Sequence, residues 1–315
     1  MIDKEFSIVE LEDNYITKPN DFRRHRPGLY PTEASVEYVF DDKKLVAGTC
    51  MRASWYRSMQ NPNREPASAG LMQKAHLGKW DEMGVVNRWK EMGIWVSNNI
   101  KFYNKRYFIS GEMDAIVKNP ETDALIGLEV KSYYGYPAGK MIRGAKRDKI
   151  PGVPKDNQFL QSILYAWEYK DELDEYRMYY IERGDGDRVE FRIGAEQTPD
   201  SQGKHQVWWQ QIESKGWNFY SPNKAYQPYC IEDIYERYDQ LINKLKNKEL
   251  PPKDFSNNWD TDTVEWMWKN KKLGKTKYQA WQKNPGKYPC GDWHCDYCSY
   301  KNQCVQDELA TVIKN

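Results

Sequence analysis

The sequence of 315 residues lacks several features that would indicate a function at once. No apolar run approaches the roughly 20 residues that cross a bilayer, and residues Met1 to Glu5 contain no basic stretch leading into an apolar one, as an export signal would. There is no P-loop, so we expect no ATPase or helicase motor on this chain. With four histidines and no Gly-x-Ser-x-Gly motif, we do not expect a Ser-His-Asp hydrolase. The absence of a membrane span and of an export signal favours a soluble, cytoplasmic protein.

An excess of charge of one sign is also lacking. The chain has 47 Lys and Arg against 46 Asp and Glu, which removes the simplest electrostatic argument for a nucleic-acid partner. Two segments differ from this average. Residues 131–161 contain seven basic and two acidic residues, and residues 269–287 contain seven lysines and no acidic residue. Because basic side chains contact phosphates and aromatic rings such as Tyr278 and Trp281 can stack on bases, these segments are candidate contacts for DNA. The alternative for each is a loop or helix face whose charges are simply solvated.

The six cysteines are unevenly distributed, with four of them in the last 26 residues. A reducing compartment favours metal ligation by these thiols over a disulfide framework. Cys295, Cys298 and Cys304 would supply three thiolates. A fourth ligand from nearby, Cys290 or His294, would complete a zinc site. The competing fourth ligand is the distant Cys50.

The apolar residues change their spacing along the chain, which predicts both helices and strands. Helices are predicted at residues 50–59, 71–92 (one or two helices), 157–169 and 231–248. Strands are predicted at residues 107–117, 124–133, 176–182 and 188–193, with short turns joining them into two antiparallel pairs. Residues 200–225, which contain Trp208, Trp209 and Trp217, are predicted to be irregular.

Two carboxylates and a lysine interrupt the apolar pattern of the first strand pair. Asp114 ends the segment Gly111-Glu-Met-Asp, and Glu129 and Lys131 lie two residues apart on the next strand, so both side chains leave the same face. Charges inside core strands need a compensating interaction. Two converging carboxylates bind Mg²⁺ or Mn²⁺. An adjacent lysine can orient or help deprotonate a water and offset transition-state charge, which indicates phosphodiester hydrolysis.

Gly-x-x-Asp followed by Glu-x-Lys resembles the core of the PD-(D/E)XK nuclease superfamily, in particular its RecB/AddB-like exonuclease branch. The segment Gly78-Lys-Trp-Asp-Glu82 resembles the helix motif of that branch, Gly-x-x-x followed by His or Glu. The segment Gln161-Ser-Ile-Leu-Tyr165 resembles its Gln-x-x-x-Tyr helix, in which the two named side chains share a helix face. Together the motifs span residues 70–170.

This resemblance implies an α/β fold with a restriction-endonuclease-like mixed sheet flanked by helices. It also implies these site residues: Asp114, Glu129 and Glu82 as ligands of Mg²⁺ or Mn²⁺, Lys131 for the attacking water, and Gln161 and Tyr165 for positioning the substrate. The extra metal ligand is open among Glu82, which the motif spacing favours, His76 and Asp81.

A second resemblance concerns the cysteines. Cys50 is followed by Arg52, Trp55 and Tyr56, and the C-terminal Cys-x2-Cys-x5-Cys encloses a Ser-Tyr-Lys run. This arrangement resembles the iron–sulfur staple of AddB-type and CRISPR-adaptation (Cas-four-like) nucleases. The resemblance implies a [4Fe-4S] cluster held by Cys50, Cys295, Cys298 and Cys304 in a subdomain that joins the N- and C-terminal segments. Zinc is the lesser alternative.

These observations predict three regions in the chain. Residues 1–69 form an N-terminal segment that contributes Cys50, residues 70–200 form the nuclease core, and residues 201–315 form a helical, Trp- and Lys-rich region with the cysteine cluster. We expect a metal-dependent DNA exonuclease that acts on ends or single strands in recombination, repair or DNA processing, with a recombination or helicase protein as partner. The alternatives are a non-catalytic DNA-binding or structural module with the same fold and a site-specific endonuclease.

Overall fold

The computed structural model describes residues 8–17, 28–145, 150–212, 223–284 and 290–314. The chain divides into two compact units. The first comprises Met1–Gly48 and Ala67–Gln240, and the second comprises Thr49–Pro66 and Leu241–Asn315.

Eleven strands occur in the described residues, all in the first unit. They are β1 (Ser35–Phe40), β2 (Lys43–Gly48), β3 (Trp95–Asn104), β4 (Ile109–Lys118), β5 (Leu125–Tyr133), β6 (Gly144–Ala145), β7 (Ile150–Pro151), β8 (Glu175–Glu182), β9 (Arg188–Ala195), β10 (Gln206–Ile212) and β11 (Ala225–Cys230). Seven of them form one sheet in the order β11-β10-β9-β8-β5-β4-β3. Only the β5–β8 neighbours in this sheet are parallel, so the sheet is mixed.

Ten helices occur in the same residues. They are α1 (Ile8–Thr17), α2 (Met51–Ser58), α3 (Ala69–Glu91), α4 (Tyr136–Arg143), α5 (Asp156–Glu168), α6 (Ile231–Lys246), α7 (Thr261–Lys269), α8 (Lys275–Lys283), α9 (Trp293–Asp296) and α10 (Lys301–Lys314). None of them combines the length and the apolar character that a membrane span requires.

Helices α3 and α5 cover opposite faces of the sheet. Val85, Val86 and Trp89 of α3 pack in one apolar cluster with Leu128 and Val130 of β5. Because side chains alternate along a strand, residues 127, 129 and 131 of β5 face the other side, where α5 lies against β8 and β9. Helix α5 also lies on the connection between β5 and β8, since a parallel pair needs such a crossover. The predicted α/β architecture, a mixed sheet flanked by helices, is therefore confirmed.

The predicted strand pairs and helices of this architecture are confirmed as well. The first predicted hairpin is the antiparallel pair β4–β5, and the second is β8–β9. The predicted helices correspond to α2, α3, α5 and α6, with a single helix, α3, between Ala69 and Glu91.

The prediction of irregular structure for residues 200–225 is wrong for residues 206–212. Strand β10 pairs with β9 from Val207 to Ile212, and Trp208 and Trp209 are buried in it. Aromatic and β-branched residues suit a pleated, half-buried surface, so the Trp pair belongs to a strand. Residues 213–222, among them Trp217, lie outside the described residues.

The second unit is helical and has an apolar core of its own. Val264 of α7 and Tyr278 and Trp281 of α8 pack with Leu273 and Cys290. Helices α9 and α10 follow and contain Cys295 and Cys304, and Cys298 lies in the connection between them.

Packing of α5 on the sheet should contribute strongly to stability. Leu164 is fully buried, so Leu164→Ala should lower the free energy of unfolding by about 2–5 kcal/mol, measured by urea denaturation with circular dichroism. Leu71→Ala removes the same atoms from a 53% exposed position on α3 and should cost less than about 0.5 kcal/mol. Equal losses for the two variants would show that α5 does not pack as described.

Candidate active site and cysteine pocket

The pairing of β4 with β5 places Asp114 and Glu129 beside each other. The ladder runs from Lys118 opposite Leu125 to Ala115 opposite Leu128 and is not continued to the next positions, Asp114 and Glu129. There the Asp114 carboxylate (Oδ2) accepts a hydrogen bond from the Val130 backbone amide at 2.7 Å. The Asp114 side chain therefore accepts the hydrogen bond that the Val130 amide would donate to a backbone carbonyl of β4 if the ladder continued.

Glu129 is a buried carboxylate with one paired and one unpaired oxygen. The residue is 1% exposed. Its Oε1 accepts hydrogen bonds from Lys131 Nζ at 2.5 Å and from Gln161 Nε2 at 2.7 Å. Its Oε2 has no hydrogen-bond partner in the described part of the chain. Because an unpaired buried oxygen is unfavourable, Oε2 is suited to a cation or a bound water.

The electrostatics of this group follow from its burial. Burial, and then the charge of Glu129, raises the pKa of Asp114 well above its ordinary value. Burial also raises the pKa of Glu129, against the opposing effect of Lys131. For Lys131, burial would lower the pKa, but the charges of Glu129 and Asp114 outweigh it and the pKa is raised. Lys131 is therefore held as an ammonium at neutral pH, where it can stabilise negative charge but is a poor base.

Of the three candidates on α3 for an extra ligand, Glu82 lies within electrostatic reach of the carboxylate pair. Its charge raises the pKa of both Asp114 and Glu129. The Glu82 carboxylate accepts a hydrogen bond from Lys79 at 2.5 Å. His76 is exposed, and Asp81 is paired with Arg183 at 2.8 Å. The structure thus places Glu82 near Asp114 and Glu129, whereas His76 faces solvent and Asp81 is paired with Arg183.

Gln161 and Tyr165 both face the sheet from α5, one turn apart. Gln161 contacts Glu129, as described above. The Tyr165 hydroxyl donates to the Glu112 carbonyl at 3.2 Å and accepts from the Glu112 amide at 3.1 Å. This contact requires glycine at position 111, where a Cβ would lie 2.5 Å from the Tyr165 hydroxyl. Tyr165 therefore fixes the backbone of β4 just before Asp114.

One residue at this site was not predicted from the sequence. Tyr176 of β8 lies near Glu129, and its buried hydroxyl has no hydrogen-bond partner among the described residues. Its ring occupies the space beside Gly127, where a Cβ would lie 2.8 Å from Tyr176 Cδ2. A glycine inside the apolar strand β5 was the available signal, since such a glycine often marks a close approach.

The second unit contains a pocket lined by four cysteines: Cys50, Cys295, Cys298 and Cys304. Cys50 immediately precedes α2, Cys295 lies in α9, and Cys304 lies in α10. Two donors point at the sulfur atoms, the Arg52 guanidinium at 3.5 Å from Cys304 Sγ and the Tyr300 amide at 3.4 Å from Cys298 Sγ. These donors suit sulfur atoms that carry negative charge.

Burial holds several of these thiols in the neutral form. Burial, followed by the proximity of Cys50 and Asp292, raises the pKa of Cys295 to about 12. Burial raises the pKa of Cys50 and of Cys298 as well. A bound metal ion deprotonates coordinating thiols, so this set of four sulfurs fits a soft metal or a cluster.

The two local alternatives for a fourth ligand occupy different surroundings. Cys290 is 1% exposed and belongs to the apolar core of the second unit, and it does not line the four-cysteine pocket. His294 does line that pocket. Its ring stacks on Phe255 with centroids 3.8 Å apart, and burial lowers its pKa, so it is neutral. Its buried Nδ1 has no hydrogen-bond partner among the described residues, which leaves it able to bind a metal.

Neither the carboxylates of the first unit nor the cysteines and His294 of the second unit converge on a single point. As the described side chains stand, no three His, Cys, Asp or Glu residues converge closely enough to hold an ion. At the carboxylate site, the oxygens are instead contacted by Lys131, Gln161 and Lys79.

No protein-family description matches the chain, and no curated protein matches its sequence.

The raised pKa of Asp114 predicts that its charge destabilises the metal-free protein. Asp114→Asn keeps an oxygen for the Val130 amide and removes the charge, so with EDTA at neutral pH it should raise Tm by about 2–4 °C, as expected for roughly 1 kcal/mol. A carboxyl whose pKa is raised on folding destabilises above that pKa. The gain should therefore shrink as the pH falls through the raised value toward the ordinary one.

The exposed Asp171 provides the control for this experiment, since Asp171→Asn should leave Tm unchanged. A lower Tm for Asp114→Asn, measured by differential scanning calorimetry, would contradict the electrostatic account of the site.

Proposed function

We propose that this protein is a metal-dependent nuclease that hydrolyses phosphodiester bonds of DNA. The observation that carries the proposal is the arrangement of Glu129, buried with one oxygen unpaired, beside Asp114 and the protonated Lys131. Asp114 and Glu129 would hold Mg²⁺ or Mn²⁺, with Glu82 as the additional carboxylate. Such an ion, when bound, supplies Lewis-acid activation of the phosphate and of a water.

The residues around the carboxylates have separate roles in this proposal. The Lys131 ammonium, 2.5 Å from Glu129, would offset negative charge that develops on the attacked phosphate. Its raised pKa favours this electrostatic role over proton abstraction. Gln161 holds the Glu129 carboxylate in one orientation, and Tyr165 holds the β4 backbone that carries Asp114. Both therefore position the ligands of the metal, and through the metal the substrate.

DNA is the substrate that the available observations favour. The mixed sheet with Asp114 and Glu129 on adjacent strands supports a restriction-endonuclease-like fold, which the sequence motifs imply. Lys269, Lys271 and Lys275 are exposed around the turn between α7 and α8. None of these three lysines forms an ion pair with a described residue, so their charge is available to phosphates. The resemblance to RecB/AddB-like enzymes favours ends or single strands and an exonuclease activity.

For the second unit we propose a [4Fe-4S] cluster held by Cys50, Cys295, Cys298 and Cys304. The shared pocket of these four residues supports Cys50 over Cys290 as the fourth ligand. The donors from Arg52 and Tyr300 support a negatively charged sulfur cage. Zinc, with His294 as a possible donor, is the lesser alternative.

The nuclease proposal predicts that Lys131 is required for activity. End-labelled single- and double-stranded DNA should be cleaved with Mn²⁺ and not with EDTA, and Lys131→Ala should reduce the rate about 10²–10³-fold while leaving the circular dichroism spectrum unchanged. Lys118→Ala, on the exposed end of β4, is the matched control and should be fully active. An active Lys131→Ala protein would overturn the assignment.

The products of the same assay separate the candidate activities. Release of nucleotides from ends indicates an exonuclease, and discrete fragments from circular DNA indicate a site-specific endonuclease. Tight binding of DNA without cleavage by any divalent cation would favour a non-catalytic DNA-binding module.

The cluster proposal predicts a brown protein when it is purified without oxygen. Iron and sulfide should be present in nearly equal amounts, and Cys298→Ala should lose the colour and the iron because one of four ligands is gone. Cys230→Ala, which alters a cysteine of the first unit, should keep both. A colourless wild-type protein that carries one zinc ion per chain would contradict the cluster and support the zinc alternative.

A further inference from the structure

Arg183 directly follows β8 and connects that strand to two other elements of the first unit. Its backbone amide donates to the Tyr133 carbonyl at 2.9 Å, which continues the parallel pairing of β8 with β5. Its guanidinium donates from Nε to Asp81 Oδ2 at 2.8 Å and from Nη2 to Ser132 Oγ at 2.6 Å. Nη2 also contacts the Lys74 carbonyl at 3.3 Å.

These contacts reach the immediate neighbours of two site residues. Asp81 precedes Glu82 on α3, and Ser132 follows Lys131 on β5. Residue 78 of the helix lies directly against this side chain, since a Cβ on Gly78 would be 3.4 Å from Arg183 Nη2, an ordinary contact distance. One side chain therefore ties the part of α3 that carries Glu82 to the strand that carries Glu129 and Lys131.

No residue of α3 before Val85 is buried. Its buried residues, Val85, Val86 and Trp89, all lie in the C-terminal part of the helix. Helix α1 also contacts α3, but the described side chains of α1 are largely exposed. Apolar packing consequently holds the last turns of α3, and the polar contacts of Arg183 hold the preceding turn, where Asp81 and Glu82 lie.

We propose that Arg183 is a positioning residue of the metal site, which sets Glu82 at the correct distance from Asp114 and Glu129 by holding Asp81 against Ser132. The inference rests on the proposed function. Arg183 touches neither carboxylate of the central pair, so it acts through α3. Partners that orient metal ligands in this way typically change metal affinity about 10–100-fold when they are removed.

The proposal predicts a loss of Mn²⁺ affinity that can be measured without DNA. By isothermal titration calorimetry, Arg183→Gln should bind Mn²⁺ at least about 10-fold more weakly than the wild type. Asp81→Asn should weaken Mn²⁺ binding in the same direction, since it removes the charge from the other side of the contact. Because the two residues act as one unit, the double variant should bind no more weakly than Arg183→Gln alone.

Arg177 of β8 offers a matched control. Its side chain is 19% exposed, as is that of Arg183, and it is paired with Glu175 and Glu190 on the sheet. Arg177→Gln should lower Tm to a similar extent but leave the affinity for Mn²⁺ at the wild-type value. A purely structural role for Arg183 would make the two variants alike in both measurements.

Wild-type Mn²⁺ affinity in Arg183→Gln would overturn the proposal. If that variant does not fold, Asp81→Asn decides in its place, and unchanged affinity there has the same meaning. A wild-type protein that binds no Mn²⁺ at all would instead refute the proposed metal site, and the positioning role with it. The failure of the inference alone is therefore distinguishable from the failure of the proposed function.

Discussion

Burial of the Glu129 carboxylate inside the sheet is the constraint on which the rest of this site depends. An ion taken out of water costs several kcal/mol even after relaxation, so the surrounding residues must compensate for it. Lys131 and Gln161 do so at Oε1, at 2.5 Å and 2.7 Å. Oε2 is left unpaired, beside an Asp114 whose own pKa is raised well above its ordinary value. The first unit therefore holds negative charge that its protein donors only partly compensate, which is the condition under which a divalent cation would bind.

The parts of this arrangement that could be predicted are those that depend on neighbouring residues in the chain. The alternation of a strand places Glu129 and Lys131 on one face, and helical spacing places Gln161 and Tyr165 on one face of α5. What could not be predicted are contacts between residues far apart in sequence. Tyr165 needs the missing Cβ of Gly111, and Arg183 reaches back to Asp81 across 102 residues. Strand β10 was missed although its Val, Trp and Ile residues are of the kind that strands favour.

The two units contain donors of different chemical character. The first unit gathers carboxylate oxygens, which suit Mg²⁺ or Mn²⁺, and the second gathers thiols around one pocket, which suit iron–sulfur or zinc. Cys50 and Cys304 are separated by most of the chain, and local sequence spacing alone could not have decided between Cys50 and Cys290. The structure distinguishes them, because Cys50 lines the pocket of the other three cysteines and Cys290 lies in an apolar core.

The central claim is that Glu129 and Asp114 bind one divalent cation. A crystal of the protein grown with Mn²⁺ and measured near the manganese absorption edge tests it directly. The account predicts an anomalous peak about 2 Å from Oε2 of Glu129 and from an oxygen of Asp114, as for a small divalent cation bound by oxygen. Anomalous density elsewhere, with Glu129 Oε2 still without a ligand, would contradict it.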